Sequence, residues 1–201
     1  MYNALTFKQL NNNCTKANIV VANKDEFKKL SIDKRVISYQ LVDENFNGMF
    51  FSKHIYLSSL SLHDGIMDAV IENVLGAGSK IIIDTARTLT EVGLFDAKKG
   101  ASPIMYAHKL GLLTNASIAG GVYLDKDDVD LMVQESAELI LTPAFDAGVG
   151  NGIPLYKMYL DRGLAMHLGT MDNSFNLRGC VDYEKELLRL LVNGSMCQKI
   201  L

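Results

Sequence analysis

The residues best suited to chemistry in this chain are His54, Asp84, Arg87, Asp146, Asn151 and Asp172. Asp84 closes the apolar run KIIID and is followed three residues later by Arg87. His54 stands just ahead of Ile55 and Tyr56 in an apolar segment, Asp146 and Asn151 belong to the glycine-rich stretch FDAGVGNGIP, and Asp172 follows HLGTM. Carboxylates and an imidazole are the groups that hold a divalent cation or pass a proton. On that ground Asp84, Asp172 and His54 are the catalytic candidates, and Asp146 could contribute to a cation site. Each has a plainer reading beside it. Asp84 can hold a cation or pair with Arg87, and pairing is the expectation, because a buried charge needs a partner once water is excluded. Asp146 and Asp172 fit equally as helix caps or acceptors of backbone N–H groups. His54 fits a hydrogen-bonded core or surface position, His167 reads as structural, and His63 and His108 lie in or near helices without a signal. The acids from Asp125 to Asp130 lack the glycine and distal glutamate of a calcium loop and read as a solvated helix start.

The elements that must position these groups alternate from about Asp64 onward. His63 to Leu75 has the three-to-four spacing of an amphipathic helix, and KIIID reads as a strand buried on both faces. Pro103 to Leu113 reads as a helix, Ile118 to Leu124 as a strand, Asp125 to Ser136 as a helix and Leu139 to Leu141 as a strand. Pro154 to Arg162 then reads as a helix, Leu164 to Leu168 as a strand and Tyr183 to Val192 as a last helix. This alternation points to parallel βαβ units. Residues 1–52 are less regular. Ala17 to Ala22 and Arg35 to Leu41 read as strands with a helix from Lys24 to Leu30 between them. The short link from Val42 to Gly48, with its Asn47-Gly48 dipeptide, predicts a hairpin or irregular connection before Met49 to Tyr56.

With 201 residues, 48% of them hydrophobic and 21% charged, the chain fits one globular domain: an irregular β/α region over 1–52 and βα units over 53–201. A net charge of −3 gives no reason to expect nucleic acid, and no apolar run or leader pattern points to a membrane. Cys14, Cys180 and Cys197 are too scattered for a disulfide framework or zinc knuckle and suit thiols in the cytoplasm.

Gly100 and Pro103, the IAGGVYL segment from Ile118, the GVGNGIP loop from Gly148 and HLGTMDN from His167 together resemble the amidohydrolase superfamily, closest to its deaminase and chlorohydrolase branch. The likeness is good from about Lys53 to Asn173 and weak over residues 1–52. It implies an α/β fold: an incomplete or degenerate TIM-type (β/α) barrel, about strands two to eight, with the irregular hairpin region before it. It also implies which residues stand where that family holds zinc or iron. The HxH pair of the first strand has no counterpart under this placement; a second alignment makes His54-Ile55-Tyr56 a decayed HxH, with residues 1–50 the remnant of a flanking β-sandwich. Asp84 takes the fifth-strand His position and Arg87 that of the Glu that shuttles protons. Gly120 replaces the sixth-strand His, and Met171 the eighth-strand Asp, with Asp172 one residue on. His54 resembles the family's fourth-strand His that contacts substrate, and GNGIP its glycine-rich turn close to the site, so the resemblance makes His54, Arg87, Asp146 and Asn151 the ligand-binding candidates.

A metal must be held by several ligands before its bound water approaches a pKa near 7. Glycine has no donor, a thioether is a poor zinc ligand, and arginine cannot accept a proton. The resemblance therefore implies an amidohydrolase-like protein without metal-dependent hydrolysis and without a cofactor, which binds a small molecule or a protein. The alternatives are an active hydrolase or deaminase of C–N bonds using zinc or iron in an altered site, and one half of a split enzyme. A barrel short of one strand exposes an open edge, which predicts a homo-oligomer through that edge or pairing with another chain.

Overall fold

The structure, a computed structural model, describes residues 2–6, 16–77, 79–171, 175–176 and 180–197. Eight strands, all parallel, run in sequence order: β1 (Tyr2–Thr6), β2 (Lys16–Val21), β3 (Val36–Val42), β4 (Ile55–Leu57), β5 (Ile81–Thr85), β6 (Ser117–Gly120), β7 (Glu138–Leu141) and β8 (Ala165–Leu168). Helices α1 (Lys24–Leu30), α2 (Asp64–Ala77), α3 (Leu89–Lys99), α4 (Pro103–Lys109), α5 (Lys126–Gln134), α6 (Pro143–Val149), α7 (Tyr156–Asp161) and α8 (Val181–Cys197) occupy most of the connections. The sheet curls into a nearly closed TIM-type barrel. Thr6 bridges to Met171, and the N–H groups of Thr170 and Met171 both donate to the Leu5 carbonyl, at 2.9 and 3.1 Å.

Strand alternation sorts the apolar residues into two layers. Leu5, Val20, Tyr39, Tyr56, Ile82, Ala119 and Ile140, one from each of the first seven strands, meet with Met171 inside the barrel. Ile81, Ile83, Ile118 and Leu139 face outward onto Met67 and Val70 of α2, Phe95 of α3, Ile104 of α4, and Val129 and Met132 of α5. The continuous apolar run in KIIID is thus the signature of a strand covered on both sides.

Two expectations are corrected. Of the hairpin or irregular connection expected before Met49 to Tyr56, the irregular connection is what forms and the hairpin is not: β3 and β4 pair in parallel, Gln40 opposite Ile55 and Val42 opposite Leu57. The strand at Met49 to Tyr56 shrinks to Ile55–Leu57, so the crossover is residues 43–54, a dozen, which is long enough for a parallel return. It carries no helix. The buried Gln40 side chain ties it down instead, accepting from Phe51 and Ser52 N–H at 2.8 and 3.3 Å and donating to the Met49 carbonyl at 2.9 Å. The second correction concerns the first strand. Tyr2–Thr6 fills that place between β2 and the segment after β8, so the edge expected to drive self-association is occupied from within the chain. Among the described residues no helix is long and apolar enough to cross a membrane.

Candidate functional site

In a parallel barrel the ends of the strands share one face, and Tyr56, Asp84, Arg87, Thr142, Asp146 and Asn151 meet there. Asp84 is the next-to-last residue of β5 and points inward like Ile82, two residues before it. The turn after β5 then brings Arg87 back over the barrel mouth. Glu91, in the first turn of α3, fixes that turn: its carboxylate accepts from Thr85 hydroxyl and Ala86 N–H, both at 3.0 Å, and from Arg87 N–H at 2.9 Å. Three donors on one carboxylate hold Ala86 in a left-handed conformation, φ 55°.

The Arg87 guanidinium is the centre of the site. Its Nε donates to Asp84 Oδ1, its Nη1 to Asp146 Oδ1 at 2.9 Å and Thr142 Oγ1 at 3.1 Å, and its Nη2 to Met171 Sδ at 3.5 Å. The second Asp84 oxygen accepts the Tyr56 hydroxyl. Asp146, in α6, also accepts from Thr142 hydroxyl and Asn151 Nδ2, each at 2.8 Å. The Phe145 ring lies 5.2 Å from the guanidinium carbon, a distance at which the ring face attracts a cation. Phe175 meets Phe145 edge to face and lies so close to Gly148 that a Cβ there would fall 2.2 Å from its ring.

Gly120 follows the same logic. Its φ is +95°, and a Cβ built on it would lie 2.5 Å from Arg87 Cγ and 2.8 Å from the Thr85 carbonyl oxygen. The stem of Arg87 runs through the volume that a side chain at the end of β6 would need. Arginine at 87 and glycine at 120 are therefore one arrangement and not two separate substitutions.

Burial raises the Asp84 carboxyl above its ordinary value, opposed by Arg87 and by the Tyr56 hydroxyl. Burial alone would depress the Arg87 guanidinium, but Asp84, Asp146 and Tyr56 around it lift it above its usual range, so it stays charged. Burial and the neighbouring Asp84 likewise push the Tyr56 phenol well up. The result is a cation fixed between two carboxylates, with Tyr56 serving as a neutral donor.

The structure thus brings together Asp84, Arg87, Asp146 and Asn151. Asp84 pairs with Arg87 as expected, and Asp146 completes the pair where a helix cap was the plainer expectation. His54 lies apart, one residue ahead of β4 at the opposite end of the barrel, where its Nδ1 accepts the Lys80 N–H at 3.3 Å. Asp172 lies outside the described residues. Tyr56, Thr142 and Glu91 belong to the site without having been picked out for it. Thr88-x-x-Glu91 is the pattern of a helix start and was the usable signal for Glu91. Tyr56 stands two residues, about 6–7 Å, further along its strand than His54, toward the strand ends.

Zinc or iron does not fit these residues. Gly120 offers no donor, Met171 offers a thioether, Asp84 and Asp146 both hold the guanidinium, and the Glu91 carboxylate is taken up by the turn after β5. Among the described residues no three His, Cys, Asp or Glu side chains converge as a metal would require.

No family model matches the chain. A 5-methylthioadenosine/S-adenosylhomocysteine deaminase of Nitratidesulfovibrio vulgaris is 33% identical over 100 residues, 47% of this chain and 23% of that protein. The guanine deaminase of C. acetobutylicum superposes with a TM-score of 0.67 at 17% identity, covering 82% of this chain and 47% of that one. An adenosine deaminase from Xanthomonas campestris gives 0.64 at 13%, covering 89% and 43%. The stretch matched by sequence spans about a quarter of that relative's length, and the solved chains are covered by less than half. The structural likeness speaks for the barrel, and the sequence match adds descent: the chain belongs to the amidohydrolase superfamily.

Proposed function

We propose that this protein is an amidohydrolase-type barrel in which metal-dependent hydrolysis has been given up for the binding of a small molecule at the strand-end face. One observation carries the reading: the Arg87 guanidinium sits at the barrel mouth on Asp84 and Asp146, with its stem in the space of a sixth-strand side chain. Hydrolysis of the family's kind needs a water activated on a metal and a carboxylate free to take its proton. Here Asp84 and Asp146 are spent on holding a cation that cannot exchange a proton at neutral pH. Room for a ligand exists near the ends of β2 and β3. A groove of about 500 Å³ opens between the β2–α1 turn and the crossover after β3, lined by Asn23, Lys24, Asp43, Asn45, Phe46 and Asn47 among others. Side-chain amides, one ammonium and one carboxylate group and an aromatic wall suit a small polar molecule with a flat apolar face.

The test is metal content followed by turnover. Protein purified without an affinity tag or added metal is analysed for zinc and iron by mass spectrometry. It is then assayed for ammonia release from 5-methylthioadenosine and S-adenosylhomocysteine, the compounds named for the relatives. The expected result is substoichiometric metal and no ammonia release, with or without added zinc or iron. Stoichiometric metal that disappears in Asp84→Ala, or metal-dependent ammonia release, overturns the reading.

A further inference from the structure

The helix-less crossover leaves a second opening, at the far end of β3 from the groove above, with Phe51 as a wall common to both. This cleft of about 310 Å³ lies between α1 and residues 51–54, and Phe27, Ser38, Phe51, Ser52, Lys53 and His54 are among the residues that line it. Three features there point to a ligand. Ser38 alternates with the inward Tyr39 and so faces away from the barrel. It is 7% exposed, and among the described residues its hydroxyl has no hydrogen-bond partner. A buried hydroxyl in that state has lost the bonds water gives it in the unfolded chain. The second feature is charge. Among the described residues no carboxylate lines the cleft, Lys53 does, and Lys80 acts with Lys53 on His54, which burial and these two ammonium groups hold below its ordinary pKa. Because His54 Nδ1 accepts the Lys80 N–H, the neutral ring carries its proton on Nε2 as a donor. The third is an apolar wall, where Phe27 and Phe51 meet edge to face with centroids 5.5 Å apart.

We propose that this cleft binds a small molecule bearing an oxyanion, a phosphate or carboxylate group, on an apolar body. Lys53, His54 and Ser38 supply the donors for the oxyanion, and Phe27 and Phe51 take the apolar part. Ser38 lines the cleft with its oxygen covered, and binding requires its side-chain torsion to turn that oxygen toward the opening. The site is remote from Arg87 and holds whether or not hydrolysis has been lost.

Amide chemical shifts of ¹⁵N-labelled protein are followed during titration with phenyl phosphate, benzoate and inorganic phosphate. Saturable shifts are expected in residues 36–38 and 51–54, with phenyl phosphate binding more tightly than inorganic phosphate because the aromatic wall contributes. A preference for phenyl phosphate over benzoate assigns the phosphate group, and the reverse order assigns the carboxylate. Lys53→Met is expected to weaken binding about tenfold or more, the loss of one charge-assisted hydrogen bond. Ser38→Ala is expected to raise the Tm, since the orphaned hydroxyl goes, and yet to weaken binding; a hydroxyl with only a structural role would leave affinity unmoved. The proposal is overturned by the absence of saturable shifts at millimolar ligand, by shifts confined to other residues, or by an affinity that neither variant changes. Equal affinity for phenyl phosphate and inorganic phosphate overturns the apolar body.

Discussion

Replacing Arg87 by methionine keeps an extended side chain and removes the charge. Two carboxylates then face each other across a site with little water: the Asp84 side chain is 14% exposed and that of Asp146 4%. Removing one partner of a buried ion pair costs about 3–5 kcal/mol. Here the cation serves two anions, which argues for the upper part of that range. Asp84 nonetheless keeps the Tyr56 hydroxyl, and Asp146 keeps Thr142 and Asn151, so the cost does not double. At about 2–4 °C per kcal/mol for a chain of this size, the Tm should fall by about 6–20 °C. The loss must also depend on pH. Burial already holds the Asp84 carboxyl above its unfolded value, and removing the guanidinium raises it further. A group whose folded pKa is raised binds more protons in the folded state, so stability falls as pH rises through that value. Urea denaturation of the native protein and Arg87→Met at about pH 5 and about pH 8 should therefore show the smaller difference at the lower pH. Adding Asp84→Asn and Asp146→Asn should recover much of the stability, since a neutral polar cluster has no charge left to desolvate. A loss below about 1 kcal/mol, or one equal at both pH values, would refute the reasoning.

Gly120→Ala should destabilise the fold by about 2–5 kcal/mol, from a left-handed backbone and a Cβ thrust against Arg87 and the Thr85 carbonyl. Chemical denaturation measures it, and a cost near zero would show that Arg87 does not need the glycine. Glu184 of α8 is buried, accepting from the Ala144 N–H at 2.8 Å and Asn176 Nδ2 at 2.7 Å, and burial raises its carboxyl above the ordinary 4.5. Its contribution to stability is complete below that value and is lost as pH rises through the folded pKa. Denaturation midpoints across this range should fall less steeply in Glu184→Gln, while Asp84 and Asp128, raised by burial in the same direction, keep part of the slope. An unchanged slope would show that Glu184 does not carry the effect.

Legibility in the sequence followed the distance over which a residue's environment is decided. β5 and β7 were readable because a run buried on both faces is apolar throughout, and α5 because acids cluster at its start. The Asp84–Arg87 pair was readable because both members lie on one turn. Asp146 reaches Arg87 across 59 residues of chain, and nothing near either residue announces that meeting. α3 escaped notice because its apolar face is thin: Phe95 is buried, while Leu89 and Leu94 are largely exposed. α6, at seven residues, is too short to show a period, and β1 is a five-residue strand without turn signals around it. The Asn47-Gly48 dipeptide does turn the chain, with Gly48 at φ +81°, but inside a crossover and not at the tip of a hairpin.

The shared volume of Arg87 and Gly120 also constrains how such a site can change over time. A side chain restored at 120 while arginine remains at 87 meets a clash. Removing the arginine first strands two buried carboxylates. Either single step crosses a less stable intermediate, so the pair behaves as a ratchet: easy to keep once set, and undone only by changes at both positions together. A lineage carrying it would drift in its loops and grooves long before it changed at this pair.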